Sequence, residues 1–379
     1  MRFHVLGVPH TVTHKDYVAC AFTQKVLKFG KMMTSLGHEV IHYGHEDSNL
    51  ICTEHVTVTT KNDLKISYGD YDWKSKMFKF NITDHAYRVF TENTIRELQK
   101  RIRKFDFILP FFGTAHQQIC DYFDKRWYIQ VEPGIGYRDT FAPCKIYESY
   151  AMYHSLIGPD GLHNPSGMSW YDAVIPNYFD SQDFTFSENK ENYFLYLGRV
   201  TPLKGLDIAF KVTEEIGVKL IVAGQMGTEI NSFPSHVEYV GYADVEKKRE
   251  LMSKAMGGFI PSRYNEPFGG IQIEMLFSGT PTITTDWGAF SENNIHGVTG
   301  YRCRTFEQFV WAAKNIKNIQ PSKCREWAEN FTLEKIGPMY EEYFKMVQEF
   351  YKYQSWYKSD TTRTNLDWLN KHYPSSTKG

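Results

Sequence analysis

The chain lacks any long uninterrupted apolar run, has no dominant sign of charge and contains few cysteines. Each absence closes off a class of function. A helix that crosses a bilayer needs about 20 consecutive apolar residues, so no transmembrane segment is expected. The start passes straight into a strand-like run, Phe3-His4-Val5-Leu6-Gly7-Val8, without the form of a signal peptide. The 43 Lys and Arg face 44 Asp and Glu, a formal net charge of −1. With no global field to draw polyanions, a dedicated nucleic-acid binder is disfavoured. The six cysteines (Cys20, Cys52, Cys120, Cys144, Cys303 and Cys324) are far apart and form no C-x-x-C pair. They read as reduced thiols, and a cytoplasmic location is expected.

Aromatic residues are abundant at 16%, which suits both packed cores and flat platforms for sugar rings or bases. A length of 379 residues suits two domains. Strand-like and helix-like runs alternate, which predicts an α/β protein with parallel sheets. In the first half the pattern predicts strands at 3–8, 39–43, 107–110 and 127–131, with helices at 22–36 and 93–104. It restarts with strands at 193–197, 219–223 and 258–261 and helices at 206–216 and 244–255. A polar stretch at 181–192 reads as a linker. The predicted division is one domain over 1–178 and a second over 179–351. A terminal segment of about 352–379 would pack back onto the first domain.

His38-Glu39-Val40-Ile41-His42 matches H-E-x-x-H by letter. A zinc site of that kind needs both histidines on one helical turn. Gly37 ends a helix here, and β-branched Val40 and Ile41 favour a strand. Residues four apart along a strand are about 13 Å apart, too far to share one metal at about 2.1 Å. No metal site is assigned. The run Asp72-Trp73-Lys74-Ser75-Lys76-Met77-Phe78-Lys79-Phe80 interleaves bases with aromatics. It reads as a solvated edge strand whose lysines block aggregation, with contact to nucleic acid or an anionic surface as the other reading.

The stretch from Arg263 to Ile283 carries the most chemistry. Glu266 and Glu274 stand seven residues apart, and Pro267-Phe268-Gly269-Gly270 turns between them into a short apolar helix. Glycines let a backbone approach a ligand closely. Free N–H groups at a helix start attract anions, and carboxylates accept hydrogen bonds from sugar hydroxyls. An anionic, hydroxyl-rich ligand such as a nucleotide sugar satisfies all three. Upstream, Arg199 and Lys204 lie in a strand-end loop between Gly198 and Gly205, the position where doubly wound sheets bind ligands. Two fixed cations there suit a diphosphate leaving group.

The stretch resembles the E-x7-E motif of retaining GT-B glycosyltransferases of the glycogen-synthase-like kind. Phe194-Leu195-Tyr196-Leu197-Gly198-Arg199-Val200-Thr201-Pro202-Leu203-Lys204-Gly205 is similar to that family's strand and G-R-x-x-x-x-K-G loop. Val222-Ala223-Gly224, Val237-Glu238-Tyr239-Val240-Gly241 and Ile175-Pro176-Asn177-Tyr178-Phe179-Asp180 resemble further landmarks, in the family's order.

The resemblance implies a GT-B fold, two Rossmann-like domains facing a central cleft, and retention of anomeric configuration, with 1–178 as the acceptor-binding and 179–351 as the nucleotide-sugar-binding domain. It implies that Arg199 and Lys204 bind the donor diphosphate and that Glu266 meets the donor sugar. It also implies that Glu274 bonds the ribose and that Phe268, Gly269 and Gly270 hold phosphate beside Pro267. Gly198 and Gly241 would border the donor, with Tyr242 beside its base. His116 is the candidate histidine near the donor sugar. His10, His14, Glu132 and Tyr137 are assigned to the acceptor side. No cofactor is implied; a nucleoside-diphosphate sugar is the donor. The expected acceptor is a glycan or small molecule. The alternatives are a hydroxylated base in DNA and a sugar-nucleotide epimerase of the same fold.

Overall fold

The computed structural model describes residues 1–161, 171–227 and 232–353. Twelve strands or helices build the first unit: β1 (Arg2–Leu6), α1 (Ala21–Ser35), β2 (Glu39–His45), β3 (Glu54–Thr59), α2 (Lys61–Tyr68), α3 (His85–Gln99), β4 (Phe107–Pro110), α4 (Gln117–Tyr122), β5 (Ile129–Ile135), β6 (Cys144–Tyr147), α5 (Tyr150–Gly161) and β7 (Ala173–Val174). The second holds β8 (Glu191–Leu197), α6 (Leu206–Glu215), β9 (Lys219–Ala223), β10 (Val237–Tyr239), α7 (Val245–Lys254), β11 (Ala255–Ile260), α8 (Gly270–Phe277), β12 (Thr282–Thr285), α9 (Phe290–Asn293), β13 (Gly300–Cys303), α10 (Phe306–Asn315) and α11 (Pro321–Ala328). A last helix, α12 (Leu333–Tyr353), closes the described chain. None of the described helices is long and apolar enough to cross a membrane.

Each unit has one parallel sheet. The strand orders are β3-β2-β1-β4-β5-β6-β7 and β10-β9-β8-β11-β12-β13. Strands buried on both faces read as near-continuous apolar runs; β4 and β11 are buried at every residue. Both sheets reverse direction between their first and fourth strands, the doubly wound pattern of Rossmann folds. The fold is α/β with two Rossmann-like units, as the alternating pattern predicts.

The strand at His38–His42 is real: β2 contains His42, whose imidazole faces Thr13 and His55, while His38 turns to Glu341. The third helix begins earlier than the sequence suggests. Asp84 caps it by accepting from the Tyr87 N–H, and it ends at Gln99, before the basic run at 100–104. The basic-aromatic run at 72–80 is not an edge strand. It is an irregular strap against the second unit, where Lys76 forms a β-bridge with Met226.

The sequence puts the return to the first unit at about 352, but the chain returns at Leu333. Leu333, Ile336, Tyr340, Tyr343, Phe344 and Val347 of α12 complete the core around Phe3, Phe29 and Phe107. Periodicity reveals the apolar stripe of a helix but not the unit that receives it. Residues 354–379 of that expected segment lie outside the described residues. At the crossover the two connecting segments pair. The Phe179 N–H donates to Phe331 O at 2.8 Å, and the Leu333 N–H to Phe179 O at 3.0 Å.

Candidate active site

The reversal point of the second sheet lies between β8 and β11. Open α/β sheets bind ligands at the carboxyl ends of strands flanking such a point. The loop after β8 carries Arg199 and Lys204; the loop after β11 carries Glu266 and runs into α8. Gly205 lets these loops close together, since a Cβ there would sit 2.1 Å from Pro261 O.

Glu266 is buried and tightly held. Its Oε1 accepts from Lys204 Nζ at 2.5 Å and from Ser262 Oγ at 2.6 Å. Tyr264 also bonds Glu266, and burial with that carboxylate pushes its hydroxyl pKa up. The Lys204 ammonium lies 4.8 Å over the Tyr264 ring. An ammonium has three donors, so Lys204 keeps two beyond the one given to Glu266. Arg199 differs: it is exposed, and its guanidinium has no side-chain hydrogen bond or ion pair among the described residues.

The turn into α8 supplies anion-binding geometry. Gly269 caps the helix in a left-handed conformation (φ 76°), and a Cβ there would sit 2.4 Å from the Phe290 ring. The N–H groups of Phe268, Gly269 and Gly270 have no acceptor among the described residues. Glu274 lies one face further along α8. Its Oε2 meets Lys248 of α7 at 2.6 Å, and both side chains are largely buried.

The first unit meets this loop directly. Ser149 Oγ donates to Pro267 O at 2.6 Å. Glu292 accepts the Tyr150 and Ala151 N–H groups at 2.9 and 2.7 Å, capping the start of α5 from across the cleft. Behind this contact lies a buried pair, Lys25 Nζ and Glu148 Oε1 at 2.8 Å; Lys25 also donates to Gly134 O at 2.8 Å. Burial holds the Glu148 carboxyl above its usual range, with Lys25 and Lys28 opposing that and the Glu266 charge adding to it.

Lys204 and Glu266 thus meet directly, Gly198 and Arg199 share the Lys204 loop, and the 267–270 turn follows Glu266, with Glu274 on the helix beyond. Several other expected residues do not join them. His116 is fully buried: its Nε2 bonds Gly7 O at 2.9 Å, its Nδ1 faces the Phe112 N–H at 3.4 Å, and its ring stacks on Phe90. Burial lowers its pKa to about 3. It braces the loop after β4 against the loop after β1 and offers no free atom to a donor sugar.

Glu132 is likewise fully buried, accepting from Tyr137 OH at 3.0 Å and from the Phe141 and Ala142 N–H groups at 2.9 Å each. It clasps a loop, with both carboxylate oxygens bonded inside the first unit; its partner Tyr137 is half-buried against Phe22. His10 is buried between Tyr87, whose hydroxyl it bonds at 2.7 Å, and Phe80, on which it stacks. His14 is half-exposed beside Asp16. Tyr242, after Gly241, reaches across the cleft and donates to Asp16 O at 2.7 Å.

Sequence reasoning missed Ser262, Tyr264, Lys248, Lys25 and Glu148. Ser262 and Tyr264 flank the motif and were legible by proximity alone. Lys25 and Glu148 are far apart in sequence and meet only through the sheet.

Residues 179–332 match the model of the family Glycosyl transferases group 1. An uncharacterized glycosyltransferase of Methanocaldococcus jannaschii is 28% identical over 186 residues, 47% of this chain and 48% of that protein. The glycogen synthase of Mycobacterium tuberculosis is 30% identical over 149 residues, 35% of this chain and 36% of that protein. The chain thus spans half or less of the length of these curated relatives. A solved glycosyltransferase involved in avilamycin A biosynthesis superposes with a TM-score of 0.67 at 17% identity, covering 94% of this chain and 99% of that one. HepE of Anabaena, solved in complex with UDP-glucose, gives 0.64 at 14% identity, covering 91% and 99%. At such identities the likeness is one of fold. Residues 179–332 are thus similar to the group 1 glycosyltransferases, and they lie in a two-unit fold of the GT-B type.

Proposed function

We propose that the chain is a retaining glycosyltransferase moving a sugar from a nucleoside-diphosphate sugar to a hydroxyl of a glycan or small molecule. One observation carries this reading: an open guanidinium, an ammonium braced by a buried carboxylate, and unpaired helix-start N–H groups converge on one crevice. Such a crevice suits a diphosphate. The UDP-glucose held by the Anabaena protein makes uridine diphosphate sugars the first donors to try.

In the proposed reaction the bond between the anomeric carbon and the diphosphate oxygen breaks. A bond from the acceptor oxygen to the same face of that carbon forms. The acceptor proton passes to the departing phosphate oxygen. Negative charge grows on the diphosphate as it leaves, where Arg199, Lys204 and the N–H groups of 268–270 stabilise it. Glu266, fixed by Lys204 and Ser262, is positioned to accept a donor-sugar hydroxyl, and Glu274 to accept a ribose hydroxyl. These cations supply the charge stabilisation that a divalent metal gives other transferases, so turnover is expected to survive a chelator.

The test is a panel of uridine and guanosine diphosphate sugars, scored by thermal stabilisation and then by nucleotide release with oligosaccharide acceptors, with and without EDTA. One donor should stabilise the protein and turn over. A panel that leaves the melting temperature unmoved would refute the reading.

A further inference from the structure

A cavity of about 530 Å³ opens beside the cleft, between the loop after β1 and the strap at 70–80. We propose that it is a saccharide-binding subsite for the acceptor; as an acceptor site it rests on the transfer reading above. Its size falls within the range of small-ligand pockets.

Part of its lining is one stack of nearly parallel aromatic rings, whose uncovered faces border the cavity. Tyr17 and Trp73 stack at 4.1 Å and 15°, and Trp73 and Phe78 lie 5.6 Å apart at 13°. Tyr17 and Phe78 lie 6.2 Å apart at 14°. A pyranose offers a flat face of C–H bonds and a rim of hydroxyls. Flat apolar walls suit the face, and mixed donors and acceptors suit the rim.

The polar lining has that mixture. Lys61, Lys65 and Lys79 are matched by Asp47, Asp70 and Asp72. Two of these pairs are already joined, Lys61 to Asp47 at 3.0 Å and Lys65 to Asp70 at 3.3 Å. A nucleic-acid backbone needs unopposed cations and would meet carboxylates here. Neutral hydroxyls can bond both signs.

The cavity wall is also tied to the donor loop. Met226 bridges Lys76 of the strap on one side and Val200, next to Arg199, on the other. Gln225 Nε2 donates to Trp73 O, and the Tyr242 ring meets Trp73 edge-on at 5.8 Å. An occupant of the cavity therefore sits against the same loops that border the donor crevice. None of Tyr17, Trp73, Phe78 or Lys79 belongs to the donor machinery.

The experiment uses the full chain on an array of neutral and acidic oligosaccharides, with duplex DNA containing 5-hydroxymethylcytosine printed beside them. Trp73→Ala and the exposed Lys79→Ala are compared with the parent, and the thermal melting midpoint serves as the check of folding. The proposal expects at least one saccharide to bind. Its affinity should fall about tenfold in Trp73→Ala, the scale of one lost aromatic contact, and less in Lys79→Ala, with the melting midpoint held. No bound saccharide, equal binding by both variants, or capture of the DNA in place of sugars would overturn it. The array needs neither donor nor turnover. Saccharide binding through Trp73 in a protein that binds no nucleotide sugar would keep the site and overturn the transfer reading.

Discussion

Arg199 and Lys204 share one loop but stand in different surroundings, and their substitutions should separate chemistry from folding. Arg199 is exposed and unpaired among the described residues, so Arg199→Ala should leave the melting temperature unchanged. Removing a cation from a developing diphosphate charge should lower kcat by about a hundredfold or more. Lys204→Ala removes the partner of a buried carboxylate as well. Breaking such a pair costs about 3–5 kcal/mol, so this variant should lose both turnover and thermal stability. Steady-state kinetics beside calorimetry reads both, and equal melting temperatures for the two variants would contradict the buried pairing.

The buried histidines set a second test at this scale. Burial lowers His42 and His116 to about 3 from an ordinary 6.5. Between those values the unfolded chain holds the extra protons, so stability rises with pH through the window. The contribution is fully present above about 6.5 and is lost progressively as pH falls. His116→Gln, which can still donate to Gly7 O, should flatten the pH dependence of the denaturation midpoint between pH 7 and 5. An unchanged slope would mean that His116 is not held neutral.

At the scale of elements, the start of α8 offers a paired comparison. Gly269 has φ 76° and no room for a Cβ, which would meet Phe290 at 2.4 Å. At Gly270 the nearest atom to a Cβ is 3.6 Å away, an ordinary contact. Gly269→Ala should displace the turn and weaken UDP binding by about tenfold or more, whereas Gly270→Ala should change it little. Equal effects in titration calorimetry would show that the turn does not form the phosphate cradle. The same element explains what the sequence could reveal. Gly198 to Gly205 and Glu266 to Glu274 are short local runs whose turns are set by neighbouring residues and were legible; that the two runs share a site was implied by the family resemblance.

His116 and Glu132 also follow strands. A strand-end position does not say whether a side chain faces the cleft or turns beneath the loop, and both turn beneath. The strap at 72–80 and the Lys25–Glu148 pair depend on partners distant in sequence, which no local pattern encodes.

The whole molecule is joined at two levels. Two paired segments, at Phe179 and at 331–333, cross between the units, and the strap spans the cleft mouth from the other side. Because α12 completes the first unit's core after the chain has built the second, the halves are interlocked rather than strung in series. Phe344→Ala, deep in that core, should cost about 3–5 kcal/mol and lower the stability of the first unit without altering UDP contacts. Beside those two paired segments, the strap is a second contact between the units, through Lys76 with Met226 and Trp73 O with Gln225.

Lys76 and Met226 are bridge partners, close enough in backbone for a disulfide. Of the native cysteines, Cys52 alone is not buried. A Lys76→Cys, Met226→Cys variant in a Cys52→Ser background can therefore be cross-linked selectively. If donor entry or product release requires the strap to part, oxidation should reduce turnover by about tenfold or more, and a reductant should restore it. Full activity in the oxidised protein, with the cross-link verified by mass, would show that the cleft works without opening at the strap.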